Sequence, residues 1–138
     1  MPPYEFIEHT ADVAVRAWGD DTPAAFAATA QALTHLLTDG ADIQGRERIE
    51  FRTESVDREG LLVGMLSELI LRFDADGQVC GDFQVRFVSD TELRVEAACE
   101  PFDSGRHGNG TDVKGVSYHM LEINEEDSRT SVQVLFDV

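Results

Sequence analysis

The chain has 138 residues, about the size of one ordinary domain, and its 42% hydrophobic and 28% charged residues are those of a globular protein, which excludes a disordered chain. Its 27 acids against 11 Lys and Arg leave a net charge of −16. That charge repels phosphate backbones and argues against direct, strong nucleic-acid binding. No basic N-terminal stretch leads into an apolar run, and the apolar residues of 61–73 are interrupted by Glu68 and Arg72. Neither a signal peptide nor a membrane span is expected, and the expected location is cytoplasmic.

Tyr4 to Ile7 and the alternating Val13, Val15 and Ala17 predict two paired strands, the second ended by a turn at Trp18-Gly19. Thr22-Pro23 supplies an N-cap and a first-turn proline, and Phe26, Ala30, Leu33 and Leu37 follow at helical spacing to Asp39-Gly40. Ile49 and Phe51 predict a short strand with one buried face. Leu61, Leu62, Met65, Leu66, Leu69, Ile70 and Phe73 then repeat every three to four residues, a stripe wider than one sheet face needs. That width predicts a second helix covered on two sides.

From Val79 onward the period becomes two: Phe83, Val85 and Phe87; Leu93, Val95, Ala97 and Cys99; Val116, Tyr118 and Met120; Val132, Val134 and Phe136. These predict antiparallel strands, with hairpin connections at Ser89-Asp90 and residues 124–128 and a longer, mobile loop over residues 103–110. The pattern is α+β in a single domain, residues 1–138, with two helices packed against antiparallel β-sheets and with no repeat or linker.

Cys80 and Cys99 have no metal-finger spacing and are expected to be buried free thiols. Asp12 opens the second strand and Asp137 ends the last. With the chain-terminal carboxylate they offer the oxygen ligands that hard cations such as Ca²⁺, Mg²⁺ or Mn²⁺ take. His35 fits a hydrogen-bonded packing role in the first helix, while His9 and His119 are candidates for the periphery of a site. Residues 74–77 resemble the opening of an EF-hand loop but lack its closing Glu, so a structural turn is expected. Gly105, Gly108 and Gly110 are not followed by the helix that a phosphate cradle needs. The only lysine, Lys114, stands beside that loop, where it can orient a carboxylate or meet a phosphate or acidic group on a partner.

Together the segments Tyr4-Glu5-Phe6-Ile7-Glu8-His9-Thr10-Ala11-Asp12-Val13, Ala17-Trp18-Gly19, Leu37-Thr38-Asp39, Thr111-Asp112-Val113-Lys114, Ser117-Tyr118-His119 and Phe136-Asp137-Val138 resemble the archease family in order and spacing. The resemblance covers essentially the whole chain and implies an α+β fold. It also implies an accessory role towards an RtcB-type RNA ligase in tRNA splicing or RNA repair: promoting ligase guanylation and multiple turnover and broadening nucleotide use, without being an enzyme. By position, Asp12 and Asp137 match the family's metal-ligand carboxylates, Val138 supplies a main-chain or terminal carboxylate oxygen, and Asp39 and Lys114 match functional or near-site positions. Two departures are the flexible Gly108-Asn109-Gly110 and Gly115 in place of a small alanine. The competing readings are a general chaperone or binding module, favoured by the acidic surface, and a free-standing metal-dependent phosphoester hydrolase. Against the latter stands the lack of a paired acid and base, a nucleophile elbow or a phosphate loop. The metal, the oligomeric state and the ligase contact surface are not fixed by the sequence.

Overall fold

The computed structural model describes residues 2–8 and 12–138. In chain order the elements are β1 (Tyr4–Glu8), β2 (Asp12–Gly19), α1 (Thr22–Thr38), β3 (Glu47–Glu54), α2 (Arg58–Asp76), β4 (Gln78–Ser89), β5 (Glu92–Pro101), the one-turn α3 (Ser104–His107), β6 (Gly115–Glu125) and β7 (Thr130–Asp137). The strands form two antiparallel sheets, ordered β1-β2-β7-β6 and β3-β5-β4. Both long helices touch both sheets: α1 packs on β2, β7 and β4, and α2 on β6 and on β3, β4 and β5. No helix among the described residues is long and apolar enough to cross a membrane.

This layering explains the wide stripe on α2. Leu61, Leu62, Met65 and Leu66 are all fully buried, and the helix is covered from both sheets as its spacing predicted. Its N-cap is Asp57, whose carboxylate accepts from Gly60 N at 2.8 Å, and it ends at Gly77 in the left-handed conformation that stops helices. Residues 74–77 are thus the last turn and cap of a helix. In α1 the cap is Asp21, not Thr22. Asp21 Oδ1 accepts from Ala24 N at 2.9 Å, while Thr22 is buried in the first turn with its hydroxyl 3.2 Å from that of Thr130.

The outer face of the β3-β5-β4 sheet is a lattice of exposed ion pairs in which Arg48 meets Asp82 and Glu96, and Arg94 meets Glu50 and Glu92. Each such exposed pair contributes at most about 1 kcal/mol. On the inner face, Cys80 and Cys99 stand directly opposite each other and form a disulfide, with Cα atoms 4.0 Å apart. The expectation of free thiols fails because the β4–β5 hairpin folds two distant positions into one cross-strand pair.

The period-two reading also fails in β6. Ser117 pairs with Leu135 and Glu122 with Gln133, so residues 118–121 stand opposite Val134 alone and form a large bulge. Beyond it the inward set becomes Leu121 and Ile123, and Tyr118 and Met120 are left exposed.

The loop after β5, expected to be mobile, is pinned. Glu100 is 3% exposed. Its Oε1 accepts from Gln44 N and Gly45 N at 2.8 Å each, and its Oε2 meets Arg106 Nη1 and His107 Nε2. His107 is buried; its Nδ1 accepts from Asp103 N at 2.9 Å, which leaves Nε2 to carry the proton given to Glu100. Phe102 stacks on His107 and meets Phe73 edge-on, and Thr111 N donates to Leu36 O at 2.7 Å. Gly110 lies so close to α1 that a Cβ would fall 2.1 Å from Leu36 O, so this glycine serves contact and not freedom.

Burial pushes the Glu100 carboxyl up, but the hydrogen bonds from His107, Arg106 and Gly45 and the Arg106 charge pull it further down, to about 2.

Three outcomes are expected. Leu66→Ala should cost about 2–5 kcal/mol in urea unfolding, while Leu71→Ala, at an exposed position, should cost under about 0.5 kcal/mol; equal losses would contradict the two-sided burial of α2. A thiol assay on unfolded, unreduced protein should find no free thiol, and two after reduction. Because the folded pKa of Glu100 is below its ordinary 4.5, its contribution is present above pH 4.5 and is lost as pH falls through about 2. Glu100→Gln should flatten the fall in stability across that window, and an unchanged slope would show that the carboxylate is not the titrating group.

Candidate functional site

A close turn starts the return path of the chain. A Cβ on Gly19 would lie 2.6 Å from Ala24, so α1 folds back along β2 without a spacer. Eight strand residues and 17 helix residues both span roughly 25 Å, which brings Asp39 to the end of the sheet where Asp12 lies.

At that end the register aligns three strands. Asp12 of β2 is directly opposite Asp137 of β7, and Asp137 is opposite Gly115 of β6. Directly opposed residues share a face. Since Val15, Val134 and Phe136 point into the core, Asp12 and Asp137 stand on the outer face of the sheet. A Cβ on Gly115 would lie 3.9 Å from Asp137 Oδ2, an ordinary contact, so the carboxylate lies beside Gly115.

Lys114 N donates to Asp137 O at 2.8 Å, fixing the lysine beside the pair, and Val138 is half-buried with its side chain against the core. The structure therefore brings together Asp12, Asp137, Val138 and Lys114. Asp39 lies at the same end, beside the loop that delivers Lys114: a Cβ on Gly108 would sit 3.8 Å from Asp39 Cβ. It caps α1 with φ 56°, ψ 38°. A carboxylate is unfavourable at a helix C-terminus, although Asp adopts the left-handed backbone more readily than most residues. A local preference broken in this way is expected at functional or strained positions.

His119 is exposed in the β6 bulge, one row along the outer face from the carboxylates, its N–H held by Ser117 Oγ at 3.0 Å. His9 lies outside the described residues. His35 has the packing role its position predicted, with Nδ1 2.9 Å from the Tyr4 hydroxyl and edge contacts to Tyr4 and Phe6. Burial pushes the Tyr4 hydroxyl pKa up.

Two like charges opposed across a strand pair repel, and a cation between them removes the penalty. Among the described residues no three His, Cys, Asp or Glu side chains converge on one point. The donors on offer are two carboxylates and main-chain oxygen, all hard, a set that fits a cation of the Ca, Mg or Mn class and leaves coordination positions open. Sequence reasoning missed Glu100 and His107, which hold the loop that positions Lys114. No local pattern announced a buried ionic cluster at the end of a strand.

Comparison with known proteins shows the family and the fold. The model of the Archease protein family matches residues 4–138. The chain is 36% identical over 139 residues to protein archease of Methanopyrus kandleri, covering 99% of each, and 34% identical over 142 residues to that of Pyrococcus furiosus, covering all of each. Among solved structures, Methanobacterium thermoautotrophicum protein 1598 is 28% identical with a TM-score of 0.76 over the full length of both chains. An archease from Thermotoga maritima, described as a possible chaperone, is 21% identical with a TM-score of 0.61 over 96% of this chain and 94% of its own, a likeness of fold alone. With a family match across nearly its whole length and relatives above 30% identity, the chain belongs to the archease family.

Proposed function

We propose that this single-domain chain is a cytoplasmic accessory activator of an RtcB-type RNA ligase in tRNA splicing or RNA repair, promoting ligase guanylation and multiple turnover and broadening nucleotide use. It is a protein cofactor and carries out no ligation itself. The observation that carries the reading is the opposed pair Asp12 and Asp137 beside Lys114 at one end of the sheet.

Asp12 and Asp137, with main-chain oxygen of Val138, would hold a divalent cation. When bound, such a cation supplies positive charge that a nucleotide phosphate or a ligase group can share. Lys114, its main chain tied to Asp137, would offer a second positive charge beside the pair, and Asp39 stands at the same end. The net charge of −16 suits a factor that approaches the ligase and not its RNA.

The test is multiple-turnover RNA ligation by the cognate ligase with GTP and a divalent metal. Wild type should stimulate turnover and Asp137→Ala should lose the stimulation by about tenfold or more, while the fold, followed by circular dichroism, is kept. Equal stimulation by both proteins would discard the site and keep the function. No stimulation by wild type, with protection of unrelated unfolded clients instead, would establish the chaperone reading. Lys114→Glu should lower stimulation at a fixed concentration of protein; retention of full activity would remove Lys114 from the site.

A further inference from the structure

The outer face of the β1-β2-β7-β6 sheet reads in rows. Asp12 and Asp137 form one, Ala14 and Leu135 the next, and Arg16 and Gln133 the third. Although Ala14 and Leu135 look outward, each is only 4% exposed. Their cover is the β6 bulge. Gln133 Nε2, on the outer face, donates to Met120 O at 3.0 Å, so residues 118–120 arch over the sheet and do not extend its edge, and the chain turns inward at Leu121. The arch has a fixed shape. Met120 is held at φ 62°, which residues other than Gly and Asn rarely adopt, and Ser117 Oγ accepts from His119 N at 3.0 Å.

What the arch presents is unusual for this surface. Tyr118 is 62% and Met120 44% exposed, in a chain of net charge −16. Tyrosine and methionine are enriched in protein interfaces, where large side chains fill recesses on the partner. Rows on one sheet face are about 7 Å apart, so the arch stands one row from the carboxylate pair.

We infer that the arch is a docking lip for the ligase: Tyr118 and Met120 enter an apolar recess at the mouth of its active site, while the surrounding carboxylates meet a basic rim. This inference rests on the function proposed above. Charge complementarity selects the occupant. A protein that handles RNA and nucleoside triphosphates needs Lys and Arg at its entrance, and the lip is flanked by the acidic Asp12, Asp137 and Glu122, with Arg16 held on Gln133 at its far side. Proximity selects the place, because carboxylates that reach into the active site bring the lip against its wall.

The experiment compares wild type, Asp137→Ala and the double variant Tyr118→Ser, Met120→Ser in three measurements: affinity for the purified ligase, calcium binding by the isolated protein, and sedimentation of the isolated protein. Both lip residues are exposed, so the double variant should keep the wild-type melting temperature. It should bind the ligase roughly tenfold or more weakly, bind calcium as wild type does, and regain stimulation at saturating concentration. Wild-type affinity should also weaken as salt is raised. Unchanged ligase affinity in the double variant, alongside lost stimulation by Asp137→Ala, overturns the lip and leaves the proposed function standing. Absence of ligase binding by wild type overturns both. A wild-type dimer that the double variant dissociates assigns the arch to self-association and overturns the inference.

Discussion

The register between β2 and β7 is the constraint on which the rest depends. Side chains on a strand alternate with a period of two, so a slip of one residue would send Val15, Val134 and Phe136 to water and the carboxylates of Asp12 and Asp137 into the core. The burial of those three side chains therefore fixes the carboxylate pair as firmly as it fixes the sheet. α1 and the loop after β5 are tied to that register in turn. One returns along β2, and the other closes on Asp137 through Lys114 N.

Around this end of the molecule local preferences are broken together. Two carboxylates face each other across a strand pair, an aspartate ends a helix at the pole that disfavours it, and a methionine holds a left-handed backbone one row away. The opposite sheet also sets like charges face to face, Glu50 with Glu96 and Arg52 with Arg94, but there ion pairs to other neighbours offset them, Arg48 and Arg94 each meeting two carboxylates. Among the described residues Asp12 and Asp137 have no such ion pair, so a bound cation would relieve more repulsion there. The Glu100 cluster belongs to the same logic. Its four donors make the loop rigid, so Lys114 and Asp39 are placed by packing and not by chance.

Much of the fold was legible because the hydrophobic periods are strong. The alternations at Val13 and Val15 and at Val132 and Val134 marked their strands, and the double-width stripe on α2 announced a helix between two layers. The candidate residues Asp12, Asp137, Asp39 and Lys114 were legible through motifs, but their placement at one end of the sheet was not, since it depends on matched lengths of β2 and α1. Three features were hidden for physical reasons. The Cys80–Cys99 pair is created by hairpin register across 19 residues. The β6 arch imitates an unbroken strand, because Val116, Tyr118 and Met120 keep a period of two while the pairing does not. Glu100 follows an apolar strand and gives no sign that backbone N–H groups from residues 44 and 45 will surround it.

The central claim is that the Asp12–Asp137 pair carries a repulsion that a divalent cation relieves. The most direct measurement is the melting temperature of wild type and Asp12→Asn, each with and without millimolar calcium or magnesium. Without metal, Asp12→Asn should be the more stable by about 0.2–1 kcal/mol, since one of two opposed charges is gone. With metal, wild type should rise in melting temperature and the variant should not. A wild-type melting temperature indifferent to both cations, or a variant that responds to them as wild type does, would contradict the account.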